Sequence, residues 1–200
     1  MNVAVLTLLG RQEDLRDALG FALDRRADLD GIRETILQAM LFAGYPRALR
    51  AFEILEEVLE GREGRTRPRK DRLPPRASTI TFLRRRGRQL FERVYRKDAD
   101  AVIARISKLH PEFMDWIIED AYGKVLSRPF LELEDREVVS SAMLAVLGLP
   151  PQLTSHMRGA LREGATRRSL EEMIDQLELF VGKRARERAE ACLEKARATV

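Results

Sequence analysis

Moved along itself by 138 positions, the sequence overlays residues 3–58 on residues 141–196 without a gap. "AVLTLLGRQEDL", residues 4–15, falls on "AMLAVLGLPPQL", residues 142–153. Identical residues meet at Ala4 and Ala142, Gly10 and Gly148, Leu15 and Leu153, Ala22 and Ala160, Glu34 and Glu172, Gln38 and Gln176, Phe42 and Phe180, and Gly44 and Gly182. Apolar pairs such as Ile32 with Leu170 and Ile36 with Ile174 fill the intervals. Helical composition alone reproduces an apolar pattern, but seldom two glycines in register. The fold must therefore accommodate two similar segments. The chain reads as a partial N-terminal repeat (residues 1–60), a basic flexible linker (61–78) and a fuller C-terminal domain (79–200).

Apolar residues recur at three- and four-residue spacing throughout, and strand-like alternation is never sustained, which predicts an all-α chain. Helices are expected over roughly 2–9, 12–26, 29–42, 46–60, 79–95, 98–108, 111–125, 134–148, 150–163, 167–180 and 183–198. Asp28 and Asp30 precede one start, Pro46 suits a first turn, and Thr166 can cap "RRSLEEMIDQLELF". The segment "GREGRTRPRKDRLPPRAS" combines Gly, Pro and basic residues without apolar periodicity, and reads as a solvated linker. It has no interleaved aromatic residue for stacking on bases, so nucleic acid is not an expected partner.

With 200 residues, 44% apolar and 34% charged, the chain can build a sizeable core. No apolar run approaches a membrane span, and the N-terminal run lacks the basic and small-residue flanks of a signal peptide. A cytoplasmic setting with no membrane contact is the expectation. One cysteine, Cys192, excludes an internal disulfide and a CxxC redox pair, and reads as a small packed side chain. The two histidines, His110 and His156, have no metal-ligand spacing, so no metal is expected.

Three stretches carry a resemblance: "AYGKVLSRP", "LEDREVVSSAMLAVLG" and "LTSHMRGALREGAT", joined in the first copy by "ETILQAMLFAGYPRALRAF". They resemble the carboxymuconolactone decarboxylase family, part of the superfamily of alkylhydroperoxidase D-like proteins. The resemblance implies a duplicated all-α helical bundle of that type and self-association as trimers or hexamers. In the alkylhydroperoxidase D-like branch a glutamate precedes a CxxC pair, and a histidine follows it by four residues. Glu137 and His156 fall on the glutamate and histidine, whereas Leu149 and Gln152 stand where the cysteines belong. A thiol-peroxidase (peroxiredoxin-type) cycle needs a reactive thiolate and a resolving thiol, so that activity is disfavoured. The decarboxylase branch also lacks the CxxC pair. The resemblance to it implies a carboxy-lyase that removes CO2 from a small carboxylated lactone, or isomerises a related ring, without a cofactor.

Under that reading His156 and Glu137 are the candidate catalytic residues. A decarboxylation leaves negative charge on carbon or on a conjugated oxygen, and an imidazolium can protonate it. Glu137 would orient the ring. The alternatives are a core histidine bonded to a carbonyl, and an acid placed in a helix's first turn by the dipole. A carboxylate substrate calls for a guanidinium, for which Arg128 and Arg136 are the nearest candidates, although most arginines are solvated. Trp116 and Tyr122 line either the pocket or the core. Phe130 stands where the family usually has glycine, and the first copy has Ala18 at the position of His156. "FAGYP", residues 42–46, becomes "FVGKR" at 180–184. Each copy thus lacks something the other has, and a non-catalytic helical scaffold that keeps the fold alone is the third reading.

Overall fold

The computed structural model describes residues 1–62 and 67–199, so part of the predicted linker, residues 63–66, lies outside the described residues. The fold is all-α, and the described residues include no strand. In chain order the helices are α1 (Asn2–Leu9), α2 (Gln12–Asp24), α3 (Leu29–Leu59), α4 (Arg76–Tyr95), α5 (Ala99–Ser107), α6 (Phe113–Trp116), a π-helix π1 (Ile117–Leu126), α7 (Leu133–Leu147), α8 (Pro150–Arg162), α9 (Arg167–Val181) and α10 (Lys183–Arg197). No helix among the described residues is long and apolar enough to cross a membrane.

The chain divides into two compact units, Met1–Arg69 with Phe130–Val200, and Lys70–Pro129. The first unit joins both ends of the chain, a different partition from the three segments drawn on the sequence. Within it the helix bounds repeat at the 138-residue offset: Gln12–Asp24 of α2 maps onto Pro150–Arg162 of α8, and α3 ends at Leu59 where α10 ends at Arg197. The glycines explain this match. Gly10 closes α1 at φ 71° and Gly148 closes α7 at φ 67°, in the left-handed region that only glycine enters cheaply. Gly44 (φ 77°, ψ 167°) breaks the helical path within α3, as Gly182 (φ 76°, ψ 173°) does between α9 and α10. The caps repeat too. Asp28 accepts a bond from the Gly31 amide at 2.8 Å, and Thr166 one from the Ser169 amide at 3.0 Å.

The core of this unit is exchanged between the two segments. Val5 of α1 packs among Ala142, Leu153, Met157 and Leu170. Met143, its partner at the offset, packs with Ala4, Leu8 and Ala39. Phe42 and Phe180 likewise reach across: Phe42 packs against the C-terminal cluster and Phe180 against Leu15, Ile36 and Ile54. Each fully buried Leu or Ile contributes about 1.5–3 kcal/mol, so neither half could lose its partner's side chains cheaply. Cys192 is buried in the same core, with its thiol directed at the Pro150 carbonyl (3.7 Å).

In the second unit α4 crosses π1 at a close backbone approach. A Cβ on Gly87 would stand 2.1 Å from the Ile118 carbonyl oxygen, and one on Gly123 would stand 2.5 Å from that of Leu83. The wider π-helical turn leaves the Gly123 carbonyl open to the Arg86 Nε, which donates to it at 2.9 Å. Residues 67–75 have no regular secondary structure, and α4 begins at Arg76, three residues inside the expected linker. Arg69, at the end of the first unit, pairs with Asp30 and lies 5.0 Å over the Phe130 ring.

Candidate functional site

α7 and α8 form an antiparallel hairpin. Gly148 ends α7, and Pro150 starts α8 at a position where its missing N–H costs nothing. Measured from Gly148 at about 1.5 Å per residue, Glu137 lies about 16 Å back along α7 and His156 about 12 Å along α8, so they stand at similar heights. The hairpin brings them together: His156 Nδ1 and Glu137 Oε2 are 2.9 Å apart. The glutamate side chain is 1% exposed and the histidine 14%. The pair is thus sheltered while the imidazole still reaches the surface. The second carboxylate oxygen of Glu137, Oε1, is buried without a hydrogen-bond partner. So is the Ser141 hydroxyl, one turn further along α7, which the sequence reading did not single out.

Arg136 requires a correction. Instead of offering its guanidinium to a substrate carboxylate, it is wholly buried. Its Nη2 donates to Glu34 Oε2 at 2.9 Å and its Nη1 to Gln38 Oε1 at 3.2 Å, while Nε donates to the Leu131 carbonyl at 3.2 Å. Gln38 Nε2 in turn donates to the Arg136 carbonyl at 2.8 Å and to Ser140 Oγ at 3.0 Å. Glu34 and Gln38 were visible in the sequence as repeat identities, but their role was not. Their counterparts Glu172 and Gln176 are exposed, so identity across the offset does not reveal the environment.

The other candidates belong to the Lys70–Pro129 unit. Tyr122 is core: it is buried and meets Phe91 edge-on with ring centroids 4.9 Å apart. Trp116 is 53% exposed and lies beside His110, centroids 5.9 Å apart, so it lines no core. Arg128 follows the end of π1, with its amide bonded to the Val125 carbonyl at 3.2 Å. Leu149 and Gln152, at the positions matched to the thiols of the alkylhydroperoxidase D-like branch, are exposed at the start of α8. No cluster of three or more metal-ligating side chains occurs among the described residues.

Comparison with known proteins gives a family match and two relatives. Residues 111–195 match the model of the carboxymuconolactone decarboxylase family. A 4-carboxymuconolactone decarboxylase of Acinetobacter baylyi is 30% identical over 86 residues, which is 43% of this chain and 64% of that protein. Peroxisomal protein 2 of Schizosaccharomyces pombe is 28% identical over 139 residues, 68% of this chain and 62% of that protein. The chain thus spans a little over three-fifths of the length of either relative. Glu137 and His156 both lie within the matched span. Residues 111–195 thus resemble the carboxymuconolactone decarboxylase family, and the chain has Leu149 and Gln152 where alkylhydroperoxidase D-like relatives would carry a CxxC pair.

Proposed function

We propose that this protein is a carboxy-lyase or isomerase acting without a cofactor on a small carboxylated lactone, with His156 as proton donor and Glu137 as its orienting partner. The observation that carries this reading is the 2.9 Å contact between His156 Nδ1 and Glu137 Oε2 in a sheltered pair. A buried carboxylate accepts the Nδ1 proton and leaves Nε2 as the nitrogen that exchanges protons with a substrate. When the C–C bond to the departing carboxylate breaks, its electron pair moves into the conjugated lactone. Nε2–H then protonates the ring carbon, CO2 leaves, and solvent returns a proton to Nε2. Glu137 stabilises the imidazolium that donates.

Among the arginines singled out in the sequence, Arg136 is held by Glu34 and Gln38. The resemblance also suggests Arg128 as an anchor, and Arg128→Met should raise KM more than it lowers kcat if it binds a substrate carboxylate. The peroxide reading has less support: its thiols are replaced and Cys192 is buried. The test is a screen of unsaturated lactone carboxylates with wild type, His156→Ala and Glu137→Gln. His156→Ala should lose about 10²- to 10⁴-fold in kcat/KM. Peroxidase turnover that persists in Cys192→Ser, with no lactone turnover, would contradict the proposal.

A further inference from the structure

Beside the dyad lies a buried network that the chemistry above does not use. Glu34 and Gln38, one turn apart on α3, grip Arg136 and Ser140, one turn apart on α7. The next residue along α7 is Glu137. Its carboxylate has one hydrogen bond among the described residues, to His156, and its other oxygen is buried without a partner. Among the described residues no other polar group bonds the side chain, so its direction is inherited from the main chain on which it stands. That main chain is the Arg136–Glu137 peptide, whose carbonyl oxygen accepts from Gln38 Nε2 at 2.8 Å. The same amide accepts from Arg136 Nη1 at 3.2 Å, so Gln38 closes on residue 136 from both its side chain and its backbone. The Glu34 ion pair keeps the guanidinium in place, with side-chain exposures of 0% for Arg136 and 5% for Glu34.

We infer that Gln38, braced by the Glu34–Arg136 pair, is a positioning residue that aims Glu137 at His156. The inference rests on the dyad reading above. It assigns a task in the site to the N-terminal segment, which otherwise contributes none of the dyad's atoms. The helix itself does not demand the pair: Glu172 and Gln176, at the same places in α9, are exposed. Displacing a catalytic group by a fraction of an ångström costs rate without unfolding the protein, which distinguishes aiming from mere packing.

The test uses the full chain and reads the imidazole directly. With two histidines in the sequence, His110 serves as the internal reference. Removing Glu34 or Arg136 strands a buried charge and threatens folding, so Gln38→Met is the variant of choice, because it leaves the ion pair whole. Circular dichroism establishes that it is folded; if it is not, Gln38→Asn is read by the same criteria. In wild type, 15N imidazole shifts should show His156 locked with its proton on Nδ1, and Glu137→Gln should release that preference. Gln38→Met should move the His156 shifts towards those of Glu137→Gln, with the His110 shifts unchanged. Its kcat on the lactone carboxylate should fall about 10- to 100-fold at near-constant KM. If Gln38→Met keeps the wild-type His156 shifts while Glu137→Gln alters them, the network is structural and the inference is overturned. If Glu137→Gln alters nothing, the dyad reading itself fails, and this inference fails with it.

Discussion

Arg136 shows most sharply how a charged residue can mislead. Periodic patterning assigns arginine to solvent, and its long side chain and charge say nothing about a partner 102 residues earlier in the chain. A buried ion pair adds little net stability, yet breaking it leaves a lone charge in a poorly solvating interior. Glu34→Ala should therefore cost about 3–5 kcal/mol in urea unfolding, and Glu34→Met combined with Arg136→Met should recover most of that loss. Asp30 gives a second residue-scale expectation. Burial pushes its carboxyl up, but hydrogen bonds and charge from Arg69 and Arg33 outweigh this and hold it below the ordinary 3.8. Its folded value is depressed, so its contribution is fully present above pH 4 and is lost as pH falls through the folded value. Asp30→Asn should lower stability at pH 6, and the gap from wild type should narrow as pH falls below 4, which is measurable by denaturant titration across that range. His156 and Glu137 were legible because a family pattern marks both positions. Ser141, Glu34 and Gln38 were not, because their significance lies in what they face rather than in their spacing.

At the scale of elements, the repeat and the helix bounds were readable because left-handed glycines and side-chain caps act within a few residues of their own position. Gly10 and Gly148, then Asp28 and Thr166, end and start helices by local physics. Asp28→Ala and Thr166→Ala should accordingly each cost about 1 kcal/mol, with similar effects on thermal unfolding. The π-helical turns of π1 and the crossing of Gly87 on Gly123 could not be read, since both depend on a backbone that approaches from about 35 residues away in sequence (Arg86 to Gly123 is 37). Gly87→Ala places a Cβ against the rigid Ile118 carbonyl. It should cost about 1–3 kcal/mol or more, against little change for a substitution such as Gln89→Ala on the exposed side of α4. If Gly87→Ala unfolds at the wild-type midpoint, the close approach is not a constraint.

At the scale of the molecule, one compact unit is assembled from the two ends of the chain, and the candidate dyad lies on the α7–α8 hairpin of its C-terminal segment. The core exchange of Val5 with Met143 and of Phe42 with Phe180 ties the N-terminal segment to that hairpin. The buried grip of α3 on α7 lies within the same contact. The family resemblance is carried by residues 111–195 and the all-α fold by the helix pattern, whereas the proposed reaction rests on two side chains that meet at 2.9 Å. The central claim is therefore tested most directly by steady-state decarboxylation of an unsaturated lactone carboxylate by wild type and His156→Ala, side by side. Wild type should release measurable CO2, and His156→Ala should lose at least about 100-fold of that activity. Equal turnover by the two proteins would contradict it.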